Sequence, residues 1–210
     1  MPTTITRIQK TRLGRFSLYG EEGFLFSLDS ETYFSCGVEE GDTLTDNDLA
    51  ALREKSDARK AKDKALQYLS LRLYGERELY DKLCLKFDGP TSAAAVAEMV
   101  RLELLDDARF AAQKAAWLKT RHKSRREAQR QLAEKGVDRN LIDEALDEVY
   151  GDGDEREEID RLIRRSYAAK LENGKRDAVY AALCRRGFSP RTVREALNDW
   201  ADAQQEGWDE

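Results

Sequence analysis

Ser124-Arg125-Arg126-Glu127-Ala128-Gln129-Arg130-Gln131-Leu132 is a helix start that the chain uses three times. Ser124 is competent to cap, Glu127 stands three positions on as a capping box requires, and Ala128 and Leu132 share one helical face. Gly75-Glu76-Arg77-Glu78 with Leu79 and Leu83 precedes it by 49 residues. Gly174-Lys175-Arg176-Asp177 with Val179 and Leu183 follows it by 50, with one residue added before the apolar pair. What comes after each start also recurs. Gly136-Val137 with Ile142, Ala145 and Leu146 matches Gly187-Phe188 with Val193, Ala196 and Leu197 position for position. A glycine there ends one helix, and the next follows after a short loop. The first copy has Val96, Met99 and Val100 behind a longer Phe87-Asp88-Gly89-Pro90 turn.

Each copy also has an entering helix, over Ala65 to Leu73, Phe110 to Lys119 and Ile159 to Leu171. The chain is therefore mainly α, with three three-helix repeats in tandem. A unit of about fifty residues buries a small core, so neighbours are expected to pack side by side. The expected outline is an elongated, curved rod.

Residues 1–44 read differently. Apolar residues alternate in Phe16-Ser17-Leu18-Tyr19 and in Phe24-Leu25-Phe26-Ser27-Leu28, with Gly20-Glu21-Glu22-Gly23 as a hairpin turn between them. Ile5-Thr6-Arg7-Ile8 and Thr32-Tyr33-Phe34 are read as further short strands of a small antiparallel β unit. Its 4 basic residues against 9 acids through position 50 argue against a nucleic-acid grip. Thr45 with Asp48 starts a helix whose polar run from Arg53 to Lys64 reads as a solvated connector. The organisation is thus a β-hairpin-like unit (1–44), a helical connector (45–64), repeats at 65–107, 108–150 and 159–200, an acidic linker (151–158) and an acidic tail (201–210).

Composition agrees with long helices: of 210 residues, 37 % are charged, and only 3 are proline and 13 glycine. No run approaches the ~18 apolar residues of a membrane span, and Met1-Pro2-Thr3-Thr4 lacks a secretory signature, so a cytoplasmic protein without membrane contact is expected. The cysteines Cys36, Cys84 and Cys184 have no CxxC spacing and read as buried thiols. A single histidine, His122, leaves little for imidazole chemistry. It reads as a surface residue.

Leu104-Leu105-Asp106-Asp107-Ala108-Arg109-Phe110-Ala111 resembles the signature joining the first two repeats of the RecX family, the bacterial regulators of the RecA recombinase. Tyr68-Leu69-Ser70-Leu71-Arg72, Glu78-Leu79 with Leu83, Lys135-Gly136-Val137 and Arg185-Arg186-Gly187-Phe188-Ser189 also stand where that family's pattern puts them. The resemblance covers most of residues 65–198, and the N-terminal stretch resembles the extension of longer members. Glu103 stands where the family usually has Gly, and Gly75 where it usually has a Ser cap. The resemblance implies a non-enzymatic protein that binds RecA or its filament on single-stranded DNA. It further implies restraint of ATPase, strand exchange and coprotease activity, in DNA repair, recombination and control of the SOS response. A monomer without a cofactor is expected.

Charge is distributed unevenly. Lys119, Arg121, Lys123, Arg125, Arg126 and Arg130 stand against Glu127 alone, a balance of +5 in twelve residues. Arg161, Arg164, Arg165, Lys170, Lys175, Arg176, Arg185, Arg186, Arg191 and Arg194 stand against Glu172 and Asp177, a balance of +8. These clusters are the candidate contact for a filament or for DNA; the plain alternative is a solvated basic face. Asp147 to Asp160 carries eight acids and one Arg, and Asp199 to Glu210 carries five acids. The tail reads as disordered and solvated. For the linker, solvation and competition with phosphate or contact with a basic partner remain open.

Asp106-Asp107 suggests a two-carboxylate metal site only in outline, and capping of the helix carrying Phe110 is the more natural role. Asn173-Gly174-Lys175 lacks the phosphate-loop frame, so neither ATP hydrolysis nor nuclease chemistry is expected. Trp117 and Tyr180 fall at core-packing positions, with stacking on bases as the alternative for an exposed ring. A second function remains in view, an autonomous DNA-binding module of helix-turn-helix-like units. Net charge −5 and pI near 5.3 speak against it, since free-standing DNA binders are usually basic. Weak direct DNA binding with partner-supplied specificity fits the balance better.

Overall fold

Side-chain caps determine where most helices begin, and through them the register of the repeats. The structure, a computed structural model, describes residues 2–151 and 155–206. It divides into two compact units, Met1–Leu105 and Asp106–Glu210.

In the first unit, β1 (Thr3–Thr4) pairs antiparallel with β5 (Thr43–Leu44), and β2 (Arg7–Lys10), β3 (Phe16–Gly20) and β4 (Gly23–Leu28) form a meander. The expected hairpin at Gly20–Gly23 is present. Ile5, Leu18, Phe26, Leu28 and Val38 form the core under it. Thr32-Tyr33-Phe34, expected as a strand, belongs to helix α1 (Ser30–Cys36) instead. The Asp29 carboxylate accepts from Thr32 N at 3.0 Å and Gly37 ends the helix at φ +65°, so two caps override the alternation.

Helix α2 (Asp46–Leu69) starts at the Thr45/Asp48 capping box and runs unbroken into the first repeat. The expected solvated connector is corrected here. Leu49 and Leu52 pack on the β core, Ser56 is fully buried with its hydroxyl donating to Ser27 O at 3.1 Å, and Ala61 and Ala65 are fully buried in the first repeat. Small Ser and Ala at the inward positions disguise the buried face as a polar run. Helices α3 (Glu76–Cys84) and α4 (Gly89–Arg101) complete the repeat around Leu79, Leu83, Val96 and Met99. Val100, read as its apolar partner, is 39 % exposed.

In the second unit, α5 (Asp107–Thr120), α6 (Arg125–Glu134) and α7 (Arg139–Tyr150) form the second repeat. Asp106 caps α5, accepting from Arg109 N at 3.0 Å, and Ser124 caps α6, accepting from Glu127 N at 3.2 Å. The third repeat enters through α8 (Glu155–Leu162), a π-helical stretch (Ile163–Tyr167) and α9 (Ala168–Glu172), followed by α10 (Arg176–Arg185) and α11 (Pro190–Glu206). Ala128 and Leu132, Val179 and Leu183, Val137 with Ile142, Ala145 and Leu146, and Phe188 with Val193, Ala196 and Leu197 are all buried, as the repeat register requires. Gly136 and Gly187 hold matching positive φ values of +79° and +95°.

Four further expectations change. The cap of α10 is Lys175, not Gly174, which sits at φ +69° in the preceding turn. Most of the acidic linker's far end is helix, because Glu155, Glu157 and Glu158 fill the first turn of α8, where the helix dipole favours acids; Asp152 to Asp154 lie outside the described residues. The acidic tail likewise stays helical through Glu206, with Trp200 packed against the third repeat's core, while residues 207–210 lie outside the description. The cysteines are not fully buried either: Cys84, the last residue of α3, is exposed, and Cys36 and Cys184 are half-buried.

Candidate functional site

The second and third repeats meet along two loops, 121–124 and 185–189, and most of the cationic candidates lie on or near them. The carbonyl of Arg186 accepts from Ser124 N at 2.9 Å, and that of Arg185 accepts from Lys123 Nζ at 3.1 Å. Arg186 Nη1 donates to the carbonyls of Arg121 (3.0 Å) and His122 (3.4 Å). Gly187 makes this approach possible. A Cβ there would lie 2.4 Å from Glu127 Cβ and 2.6 Å from Ser124 Oγ. His122 takes φ +53° to turn the loop, and its Nδ1 lies 3.3 Å from Glu158 Oε1.

Two cavities open beside this seam. The first is a groove of about 320 Å³ lined by Arg121, Lys123, Tyr167, Ala182, Arg185 and Arg186. Four of its six lining residues are cations and none is an acid. Lys123 and Arg186 spend hydrogen bonds on backbone carbonyls, which fixes their positions. Arg121 and Arg185 have no ion pair among the described residues. Tyr167, the last residue of the π-helical stretch, is buried beneath them.

The second cavity, about 460 Å³, has a mixed wall. Lys119, Lys123, Arg125, Arg126 and Arg161 face Glu155, Glu157 and Glu158, with Tyr150 and Phe188 among the lining. The Tyr150 hydroxyl donates to Lys123 O at 3.1 Å, and burial, with Glu158 nearby, pushes its pKa up to about 12. Several acids here have structural partners. Glu155 accepts from Ser189 N (3.0 Å) and Thr192 Oγ1 (3.1 Å) at the start of α11, Asp147 pairs with Arg125, and Glu158 pairs with Arg161 at 2.9 Å. Asp160 and Asp199 both bind Arg156.

Pairing thus sorts the sequence candidates. Arg130 is held by Glu127 and Glu134, and hydrogen bonds from Arg130 and then Gln131 lower the Glu127 carboxyl to about 2 against the opposing effect of burial. Arg191 pairs with Glu195 at 2.9 Å, Arg194 lies 3.4 Å from the Tyr180 hydroxyl, and Arg176 binds Asn198. Lys119 donates to Val149 O. Arg164 and Arg165 line a separate hollow of about 530 Å³ with Glu157, Asp160 and Arg161. Lys175, Arg176, Arg191 and Arg194 line neither of the two seam cavities. The two clusters therefore come together only in part.

Trp117, expected in the core, is 46 % exposed on α5. Lys114 Nζ lies 4.4 Å and Arg121 Cζ 4.7 Å from its ring centre. The spacing 114, 117, 121 marks one helical face, a signal present in the sequence. Tyr180, by contrast, packs against the third repeat's core.

Among the described residues no group of three His, Cys, Asp or Glu is placed to hold a metal, and no helix is long and apolar enough to cross a membrane. Asp106 serves as a cap, and Asp107 lies in the first turn of α5.

Two family models match the chain: the RecX first three-helix domain over residues 61–99 and the RecX second three-helix domain over 106–146. Regulatory protein RecX of Caldanaerobacter subterraneus subsp. tengcongensis is 26% identical over 196 residues, covering 92% of this chain and 98% of that protein. Regulatory protein RecX of Staphylococcus aureus strain JH9 is 26% identical over 210 residues, covering 97% and 76%. Among solved structures, a crystal structure of regulatory protein RecX superposes with TM-score 0.61 at 22% identity, covering 94% of this chain and 99% of that one. RecX from Lactobacillus salivarius gives TM-score 0.52 at 22% identity, covering 68% and 96%.

Proposed function

Because the chain belongs to the RecX family of regulatory proteins, we propose that it binds the RecA filament on single-stranded DNA and lowers its ATPase, strand-exchange and coprotease activities. It does so as a cytoplasmic monomer, without a cofactor and without catalysis of its own. The observation that carries this reading is the groove between the second and third repeats, where Arg121, Lys123, Arg185 and Arg186 present four cations and no lining acid. A protein of net charge −5 that concentrates positive charge in one groove is suited to a polyanionic target met in a particular geometry. A freely roaming DNA binder gains more from a broadly basic surface.

The test is retention on immobilised single-stranded DNA with and without cognate RecA, at physiological salt, alongside RecA's ATPase rate. Retention should require RecA, and the rate should fall as the protein is added. Tight retention on bare DNA that survives several-fold more salt, with RecA's ATPase untouched, would favour the autonomous module instead.

A further inference from the structure

We infer that Trp117 and the cationic groove beside it form a binding subsite for single-stranded nucleic acid, in which an unpaired base stacks on the Trp117 ring while the adjoining phosphates lie against Arg121, Lys123, Arg185 and Arg186. The location rests on the function proposed above, but the ligand contact is a separate claim. Arg121 joins the two halves of the subsite: it lines the groove, and its guanidinium stands 4.7 Å from the Trp117 ring centre. Trp117 is 46 % exposed, so part of the indole is open to a ligand. Lys114 on the same face brings a second cation to 4.4 Å of the ring centre. Both cations lie over the indole, so a base stacks there by displacing one of them toward the adjoining phosphate, and the cluster then supplies the two needs of a single strand, a flat apolar surface for the base and positive charge for the backbone. Duplex DNA meets only the second need, because its bases are stacked inside.

The experiment uses the full chain with Trp200 and Trp208 replaced by Phe, leaving Trp117 as the only indole. Oligothymidylate and oligouridylate should quench its emission saturably, and the tighter of the two identifies the strand. An abasic oligomer of equal length, or inorganic polyphosphate, should bind about tenfold more weakly or less and leave the emission unchanged, since one base stack is worth about that much. In the otherwise wild-type chain, Trp117→Ala should weaken oligothymidylate binding by about tenfold with an unaltered helix signal, whereas Arg121→Glu/Arg185→Glu should weaken the base-bearing and abasic oligomers alike.

Equal affinity for abasic and base-bearing oligomers would overturn the inference. So would equal quenching by duplex, or emission that responds to RecA protein alone and not to oligonucleotide. If RecA's ATPase is still inhibited while Trp117 ignores single strands, this subsite fails and the proposed function stands; quenching without inhibition reverses that outcome.

Discussion

The amide of Ser124 donates to the carbonyl of Arg186 over 2.9 Å, so the capping residue of α6 in the second repeat is bound through its backbone to the end of α10 in the third. The Ser124 hydroxyl meanwhile caps its own helix by accepting from Glu127 N. One residue thus ends a loop, starts a helix and joins two repeats, and the groove exists only where this joint is closed.

Closure depends on Gly187, which combines φ +95° with no room for a Cβ. Gly187→Ala should cost about 2 kcal/mol or more, from left-handed strain added to the clash with Glu127 and Ser124. Urea unfolding followed by helix signal measures this; an unchanged midpoint would mean the loops are not packed as described.

Two positions that depart from the family pattern carry small, correctable deficits. Glu103 sits at φ +56°, a conformation glycine adopts freely, so Glu103→Gly should stabilise by about 0.5 kcal/mol once the extra freedom of the unfolded glycine is set against the relieved strain. Gly75 caps α3 from extended backbone at φ −79° with no side-chain hydrogen bond, and Gly75→Ser should add a few tenths of a kcal/mol. Thermal melting of the two single variants reads both effects.

Glu127 gives the second unit part of its acid sensitivity. Its folded carboxyl is lowered from 4.5 to about 2, mainly by the hydrogen bonds from Arg130. A depressed folded value means the contribution is complete above the ordinary value and disappears as pH falls toward 2. Glu127→Gln should therefore lower stability at pH 7 by less than about 1 kcal/mol, the pair being partly exposed, and should flatten the decline of stability between about pH 5 and 2. Chemical unfolding across that range tests the slope.

The repeats were legible because their signals are local. Leu79, Ala128 and Val179 recur at fixed distances behind their helix starts, and Gly136 and Gly187 end helices in matching places. Where competing signals overlapped, the reading failed. Tyr33 and Phe34 alternate like a strand, yet Asp29 and Gly37 enclose them in a helix. Ser56 and Ala61 are buried but look polar or neutral in a charged run. The groove was half legible: its cations stood out as two clusters, but the sequence does not reveal which are neutralised. Arg125 meets Asp147 and Arg186 meets the Arg121 carbonyl only after the chain has folded across 22 and 65 residues. Trp117 reads as a core residue because large aromatics usually are, although Lys114 and Arg121 stand on the same helical face.

The most direct measurement compares two double variants in the same assay of RecA's ATPase on single-stranded DNA. Arg121→Glu/Arg185→Glu reverses two groove cations that have no ion pair among the described residues. Arg139→Glu/Arg191→Glu makes the same charge change at positions 86% and 87% exposed, outside the groove. The groove variant should need about tenfold more protein or greater for equal inhibition, with an unchanged melting curve, while the control inhibits like wild type. Equal inhibition by wild type and the groove variant would contradict the account and place the filament contact on another surface.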